Sequence, residues 1–94
     1  MKINLFTKIK QKAELMVKEF PGEVVVLNPE AGELIILNET SAFIWQRLKR
    51  RTSVEGIAKS LCKVFKVGLK EAKKDTLSIC QQLANQGLIQ VLKR

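Results

Sequence analysis

The sequence contains no histidine and no tyrosine, a single tryptophan, two cysteines and two prolines. Each shortage closes off a class of chemistry. Without histidine the chain lacks the side chain that most often serves as general base or metal ligand near neutral pH. Cys62 and Cys80 stand too far apart for a CxxC motif, and there is no histidine to complete a zinc site or a nucleophile pair. Both fall on apolar helical stripes, which reads as reduced thiols packed as small hydrophobes in a reducing cytosol. One tryptophan and no tyrosine leave too few aromatics for a platform that stacks nucleobases. No phosphate loop and no paired carboxylates in a helical or turn motif are present, so the sequence predicts no enzyme and no cofactor.

Long hydrophobic runs are missing too. Nothing approaches the ~18 apolar residues of a membrane span. The opening MKINLFTKIKQK carries lysines but no apolar core of a secretory signal. The expectation is a cytoplasmic protein with no membrane partner.

What is present is a 94-residue chain, 46% hydrophobic, with a net charge of +8. That length supplies one core, and that apolar fraction suits a globular domain. The positive charge invites a nucleic-acid or acidic partner. It is dispersed, however, from Lys2, Lys8, Lys10 and Lys12 through Lys49-Arg50-Arg51 to Lys73-Lys74. A solvated face accounts for most of it.

Residues 1–12 show Ile3, Leu5, Phe6 and Ile9 in no decisive pattern and are predicted to be a basic N-terminal arm or a short helix. Residues 13–92 are predicted to form the domain proper. A β-like stretch within 13–20 ends at Pro21-Gly22, and the β-branched run 23–27 suits a pleated surface. Asn28-Pro29-Glu30-Ala31-Gly32 reads as a hairpin loop, and Glu33, Leu34, Ile35, Ile36 and Leu37 complete a three-stranded antiparallel meander.

Three helices follow. The first starts at Asn38 or Thr40 as N-cap and carries Ser41, Ile44, Trp45 and Leu48 at helical spacing. The second opens on a capping box, Thr52-Ser53-Val54-Glu55, with Thr52 as the cap. The third spans about 69–86 and stops at Gly87. At 100° per residue, Ala72, Thr76, Ile79 and Leu83 of that helix point to the core, with Lys73, Leu77, Cys80 and Ala84 on one flank. The predicted fold class is α+β, a three-stranded antiparallel sheet followed by three helices.

The third strand raises the functional question. Sheet edges expose unpaired N–H and C=O groups and are usually blunted by charge or proline, which are absent from residues 34–37. An extended peptide can add there as a fourth strand, with hydrogen bonds worth ~0.5–1.5 kcal/mol net each. The Lys73, Leu77, Cys80 and Ala84 flank supplies side-chain contacts if the third helix lies beside it. The other reading buries 34–37 between the helices on one face and residues 1–12 on the other. From composition and spacing alone both stay open.

Four stretches carry a family resemblance: VVLNPEAGE at 25–33, LNETSAFIW at 37–45, TSVEGIAKSL at 52–61 and LANQGLI at 83–89. In this order and spacing they resemble the PqqD family, named for a small protein of pyrroloquinoline quinone biosynthesis. Leu37, Ile44 and Trp45 match core positions, and Asn38 and Thr40 match helix-start positions. Lys49-Arg50-Arg51 stand where many relatives carry an acidic–glycine pair.

The resemblance implies a winged helix-turn-helix-like domain that acts as a recognition element for a precursor peptide. Such domains bind the leader segment of a ribosomally made peptide as an added strand. They present it to a modifying enzyme such as a radical SAM protein, a cyclase or a leader peptidase. The main alternative is a winged-helix DNA-binding regulator. Against it, the third helix has no arginine for a guanine contact, and Ser78, Gln81, Gln82 and Asn85 are neutral. A homodimer that uses the same strand edge is a third reading.

Overall fold

The computed structural model describes residues 2–92. Six strands and three helices follow in the order β1 (Lys8–Gln11), β2 (Met16–Phe20), β3 (Glu23–Asn28), β4 (Glu33–Leu37), α1 (Glu39–Arg47), β5 (Thr52–Ser53), α2 (Val54–Phe65), α3 (Leu69–Asn85) and β6 (Ile89–Leu92). The expected meander and three helices are present. A second sheet is added to them.

The meander is the antiparallel sheet β2-β3-β4, with β3 in the middle. Both reversals use left-handed backbone at glycine, Gly22 with φ 73° and Gly32 with φ 68°, where a side chain would be strained. Opposite residues share a face, so the register sorts the sheet into two sides. Val24, Val26, Ile35 and Leu37 turn inward; Val24 and Val26 are fully buried and Leu37 nearly so. Met16, Val25, Leu27, Leu34 and Ile36 turn outward.

The second sheet has the order β5-β1-β6 and is antiparallel throughout. Here the basic arm expected over residues 1–12 is corrected. Met1 lies outside the described residues, but Lys8–Gln11 is the central strand of this sheet. Its alternation decides the matter: Ile9 is fully buried between exposed Lys8 and Lys10. The segment before it is also tied down. Glu55 N–H donates to Leu5 O at 2.9 Å, Ile3 N–H donates to Gln81 Oε1 at 3.0 Å, and Ile3 is nearly buried. The strand is legible only once partners distant in sequence are known, because four residues cannot stand as a strand alone.

The helices begin and end for local reasons. The Asn38 side chain accepts from Ser41 N–H at 2.9 Å and caps α1. At α2 the cap lies one residue beyond the expected Thr52: Ser53 Oγ accepts from Gly56 N–H at 3.1 Å. Thr52 is held in β5 opposite Ile9, and the Glu55 N–H meant for it goes to Leu5 instead. α3 ends at Asn85, and Gly87 follows at φ 73°.

One core joins these layers. Trp45 and Ile44 from α1, Leu48 at its C-terminal cap, Ile57 and Leu61 from α2, Leu83 from α3 and Leu88 are all buried, together with Ile9 and the inward residues of β3. Burial of a side chain of this size is worth ~1.5–3 kcal/mol. Phe43 and Phe65 close the α1–α2 contact edge-to-face at 5.4 Å, and the Arg47 guanidinium lies 4.2 Å from the Phe43 ring centre.

Candidate functional site: an open strand edge

Among the described residues two edges of the meander sheet have no strand partner, those of β2 and β4. They are not equivalent. β2 carries Lys18 and Glu19 and runs into Pro21, the usual guards against strand addition. β4 carries one charge, Glu33, at its start, followed by Leu34, Ile35, Ile36 and Leu37. The unguarded edge is therefore that of β4.

The pleat explains its composition. Ile35 and Leu37 are core residues, whereas Leu34 and Ile36 stand 62% and 61% exposed. Neither residues 2–12 nor the helices cover the outer side, where Leu34 and Ile36 stay exposed. The aliphatic run thus serves two surfaces, and the reading that buried both faces fails.

The residues expected on the α3 flank separate. Lys73 is half-buried and its Nζ lies 3.9 Å from a carboxylate oxygen of Glu55 on α2. Leu77 lines a shallow hollow with Lys2, Ile3, Ser78 and Gln82, so the N-terminal segment borders it. Ala84 is half-buried. Cys80 is corrected: it is fully buried, so it packs behind any groove instead of lining it. Burial pushes its thiol up to about 12. The physical reason is a small rotation of the helix. The buried set is Ala72, Thr76, Cys80 and Leu83, which moves the core face toward Cys80 and leaves Ile79 at its margin. The end of α3 does meet the sheet. A Cβ at Gly87 would lie 3.6 Å from the side-chain nitrogen of Asn28, the residue opposite Glu33.

Electrostatics divide the molecule. Residues 13–37 hold one lysine against five glutamates, a net −4, and the remainder of the chain carries +12, which together make the total of +8. Two of those glutamates are paired on the surface, Glu30 with Lys12 at 3.3 Å and Glu19 with Lys49 at 3.3 Å. Among the described residues no group of three or more His, Cys, Asp or Glu side chains is placed to hold a metal, and no helix is long and apolar enough to cross a membrane.

The family model of coenzyme PQQ synthesis protein D, PqqD, matches residues 23–89, from the first residue of β3 to the first of β6. The chain belongs to the PqqD family. No curated protein matches it. Among solved structures it is similar to TbiB1 in complex with the TbiA(β) leader peptide, with a TM-score of 0.81 and 22% identity over 90% of this chain and 99% of that one. It is also similar to lasso peptide synthetase B1 complexed with the leader peptide, at 0.76 and 27% over 87% and 96%. A third similar structure is the PqqD truncation of Methylobacterium extorquens PqqCD, a stand-alone recognition element for ribosomally synthesised and post-translationally modified peptides, at 0.72 and 16% over 88% of each chain. The family shares the α+β fold described above, three-stranded sheet first and helices after.

The outer sheet face is what sequence reasoning missed. Met16, Val25 and Leu27 join Leu34 and Ile36 there, with Lys18 among them opposite Val25, and Met16 is 60% exposed. The signal was the pairing register. Without it, the run EVVVL shows no inside and outside.

Proposed function

We propose that this PqqD-family chain captures the leader segment of a ribosomally made precursor peptide as a fourth strand on β4 and presents it to a separate modifying enzyme. The observation that carries the reading is the edge itself: a β4 strand with backbone groups open to solvent and no charge or proline over residues 34–37. Two of the similar structures hold a leader peptide, which supports the same surface chemistry here.

On this reading Glu33, Leu34, Ile35, Ile36 and Leu37 supply the backbone ladder, and Lys73, Leu77 and Ala84 of α3 remain candidates for side-chain contact. Four or five hydrogen bonds yield only a few kcal/mol after ordering costs, so pockets must supply the rest. Catalysis belongs to the partner enzyme, whether a radical SAM protein, a cyclase or a leader peptidase, and both act in the cytoplasm. DNA binding fits less well: the exposed later positions of α3, Ser78, Gln82 and Asn85, are neutral.

The test is a backbone NMR titration of the chain with a synthetic leader from the precursor gene nearest its own. Shift changes centred on β4 and its loop to β3 are expected. Changes centred on α3 with duplex DNA, and none with the peptide, would replace this reading with the regulator.

A further inference from the structure

The second sheet carries charge of one sign. Ile9 turns inward from β1 while Lys8 and Lys10 stand exposed on the side away from the core, and β5, β1 and β6 contain no acidic residue. The loop 49–51 is tied down at both ends beside them. Gln11 N–H donates to Leu48 O at 2.9 Å, and Thr52 lies opposite Ile9, so the loop runs past Lys10. Lys49 is paired with Glu19 on β2. Arg50 and Arg51 are exposed and, like Lys8 and Lys10, make no ion pair among the described residues.

Four cations gathered by the backbone without a counter-charge repel one another, a cost that a bound anion removes. The two arginines suit carboxylates, which a guanidinium grips with paired N–H donors.

A route leads from this face to the capture strand. Asn28 lies opposite Glu33 at the start of β4, and Gln90 lies opposite Lys10. Asn28 and Gln90 border the same shallow hollow, together with Lys12, Glu14, Pro29 and Glu30. Opposed residues are ~5 Å apart, so the way from Glu33 across the hollow to Lys10 is roughly 20 Å, or about six extended residues at ~3.3 Å each. The charges change sign along it. Glu33 and Glu14 make no ion pair among the described residues, and Glu30 is paired with Lys12. The near end therefore disfavours acidic side chains, and the far end favours them.

We propose that Lys8, Lys10, Arg50 and Arg51 bind an acidic cluster of the same precursor peptide whose aliphatic segment is captured on β4. This rests on strand capture at β4. The peptide leaves β4 at Glu33, crosses the hollow with about six residues free of acid, and lays its carboxylates on the second sheet. That flank is C-terminal to the captured segment in an antiparallel addition and N-terminal in a parallel one. Charge thus supplies affinity that a short backbone ladder leaves wanting.

The test uses the full chain and a synthetic leader from the neighbouring precursor gene, which should carry an Asp/Glu cluster about six residues from an aliphatic run. Fluorescence anisotropy compares this peptide with one whose cluster is changed to Asn and Gln. The wild-type chain should bind the acidic peptide about tenfold more tightly at low salt, with the gap closing as salt is added. Arg50→Glu/Arg51→Glu and Lys10→Glu, all at exposed positions, should lose that advantage and bind the neutral peptide as wild type does. Arg50→Lys/Arg51→Lys should keep most of it, and circular dichroism checks the fold of each variant. A leader without an acidic cluster, or equal binding of the two peptides by wild type, overturns the proposal. So does loss of the modifying enzyme or of duplex DNA by the glutamate variants with acidic-peptide affinity unchanged, since the face then serves another partner. If neither peptide binds wild type, strand capture fails and this inference with it. If both bind equally and shift the NMR signals of β4, only the charged route fails.

Discussion

Ile35 and Ile36 are consecutive in β4 yet serve opposite sides of the sheet. Ile35 lies across from Val26 and packs against the core, while Ile36 lies across from Val25 and is 61% exposed. Backbone donors alternate along a strand in the same way, so successive N–H groups point toward β3 and toward the open edge in turn. One aliphatic run therefore holds the sheet to the core, extends its outer face and offers a free ladder.

That alternation gives the sharpest test of the edge. One of Ile35→Pro and Ile36→Pro removes a donor that serves β3; the other removes a donor that faces solvent, the place where sheets tolerate proline. The second variant should fold, as judged by circular dichroism, and lose at least tenfold in affinity for the synthetic leader by fluorescence anisotropy. Unchanged leader affinity in that folded variant removes β4 as the capture strand.

Helix capping separates two neighbouring residues. Ser53 makes the cap bond to Gly56 N–H, whereas Thr52 sits in β5. Ser53→Ala should cost about 1 kcal/mol, and Asn38→Ala a similar amount through the lost bond to Ser41 N–H. For a domain of this size each lowers Tm by roughly 4–8 °C. Thr52→Ala should shift Tm less than Ser53→Ala; the reverse order in a thermal melt would return the cap to Thr52.

Thr76 offers a gain. Its hydroxyl is fully buried on the core face of α3 and has no hydrogen-bond partner among the described residues. Thr76→Val keeps the shape and removes a desolvated polar group, whose unpaired burial costs ~1–3 kcal/mol. Urea unfolding should show a midpoint at or above wild type with the same m-value. A loss of more than about 1 kcal/mol would mean that the hydroxyl is satisfied in solution.

Much of this was legible because local rules and tertiary structure agree. Asn38, the helical stripe through Ile44 and Trp45, and the stop at Gly87 follow from short-range chemistry and were found where the spacing put them. The misses share a cause. Lys8–Gln11 becomes a strand through β5 and β6, some 40 and 80 residues away. Thr52 loses the cap because Ile9 claims it for a sheet and Leu5 takes the Glu55 N–H. Cys80 turns inward by less than a residue's rotation on α3. Each depends on a partner that no window of sequence contains. The open side of Leu34 and Ile36 belongs to the same class, since exposure is a property of what fails to pack there.

The cysteines give a pH-dependent test with a definite sign. Burial raises the Cys80 thiol from 9.0 to about 12. The unfolded chain releases that proton near its ordinary value, while the folded chain holds it. Between pH 9 and about 12 the folded state thus binds more protons, and stability falls as pH rises, by up to ~1.4 kcal/mol per pH unit from this group. The contribution is fully present below pH 9. The measured quantity is the difference between wild type and Cys80→Ala in urea melts from pH 8 upward. The variant starts less stable at pH 8 and its alkaline decline should be shallower, so the two curves converge. A thiol-reactive dye should label one cysteine quickly in the native chain, the half-buried Cys62, and both in denaturant. Parallel alkaline curves, or rapid native labelling of both thiols, would place Cys80 outside the core and return it to the groove.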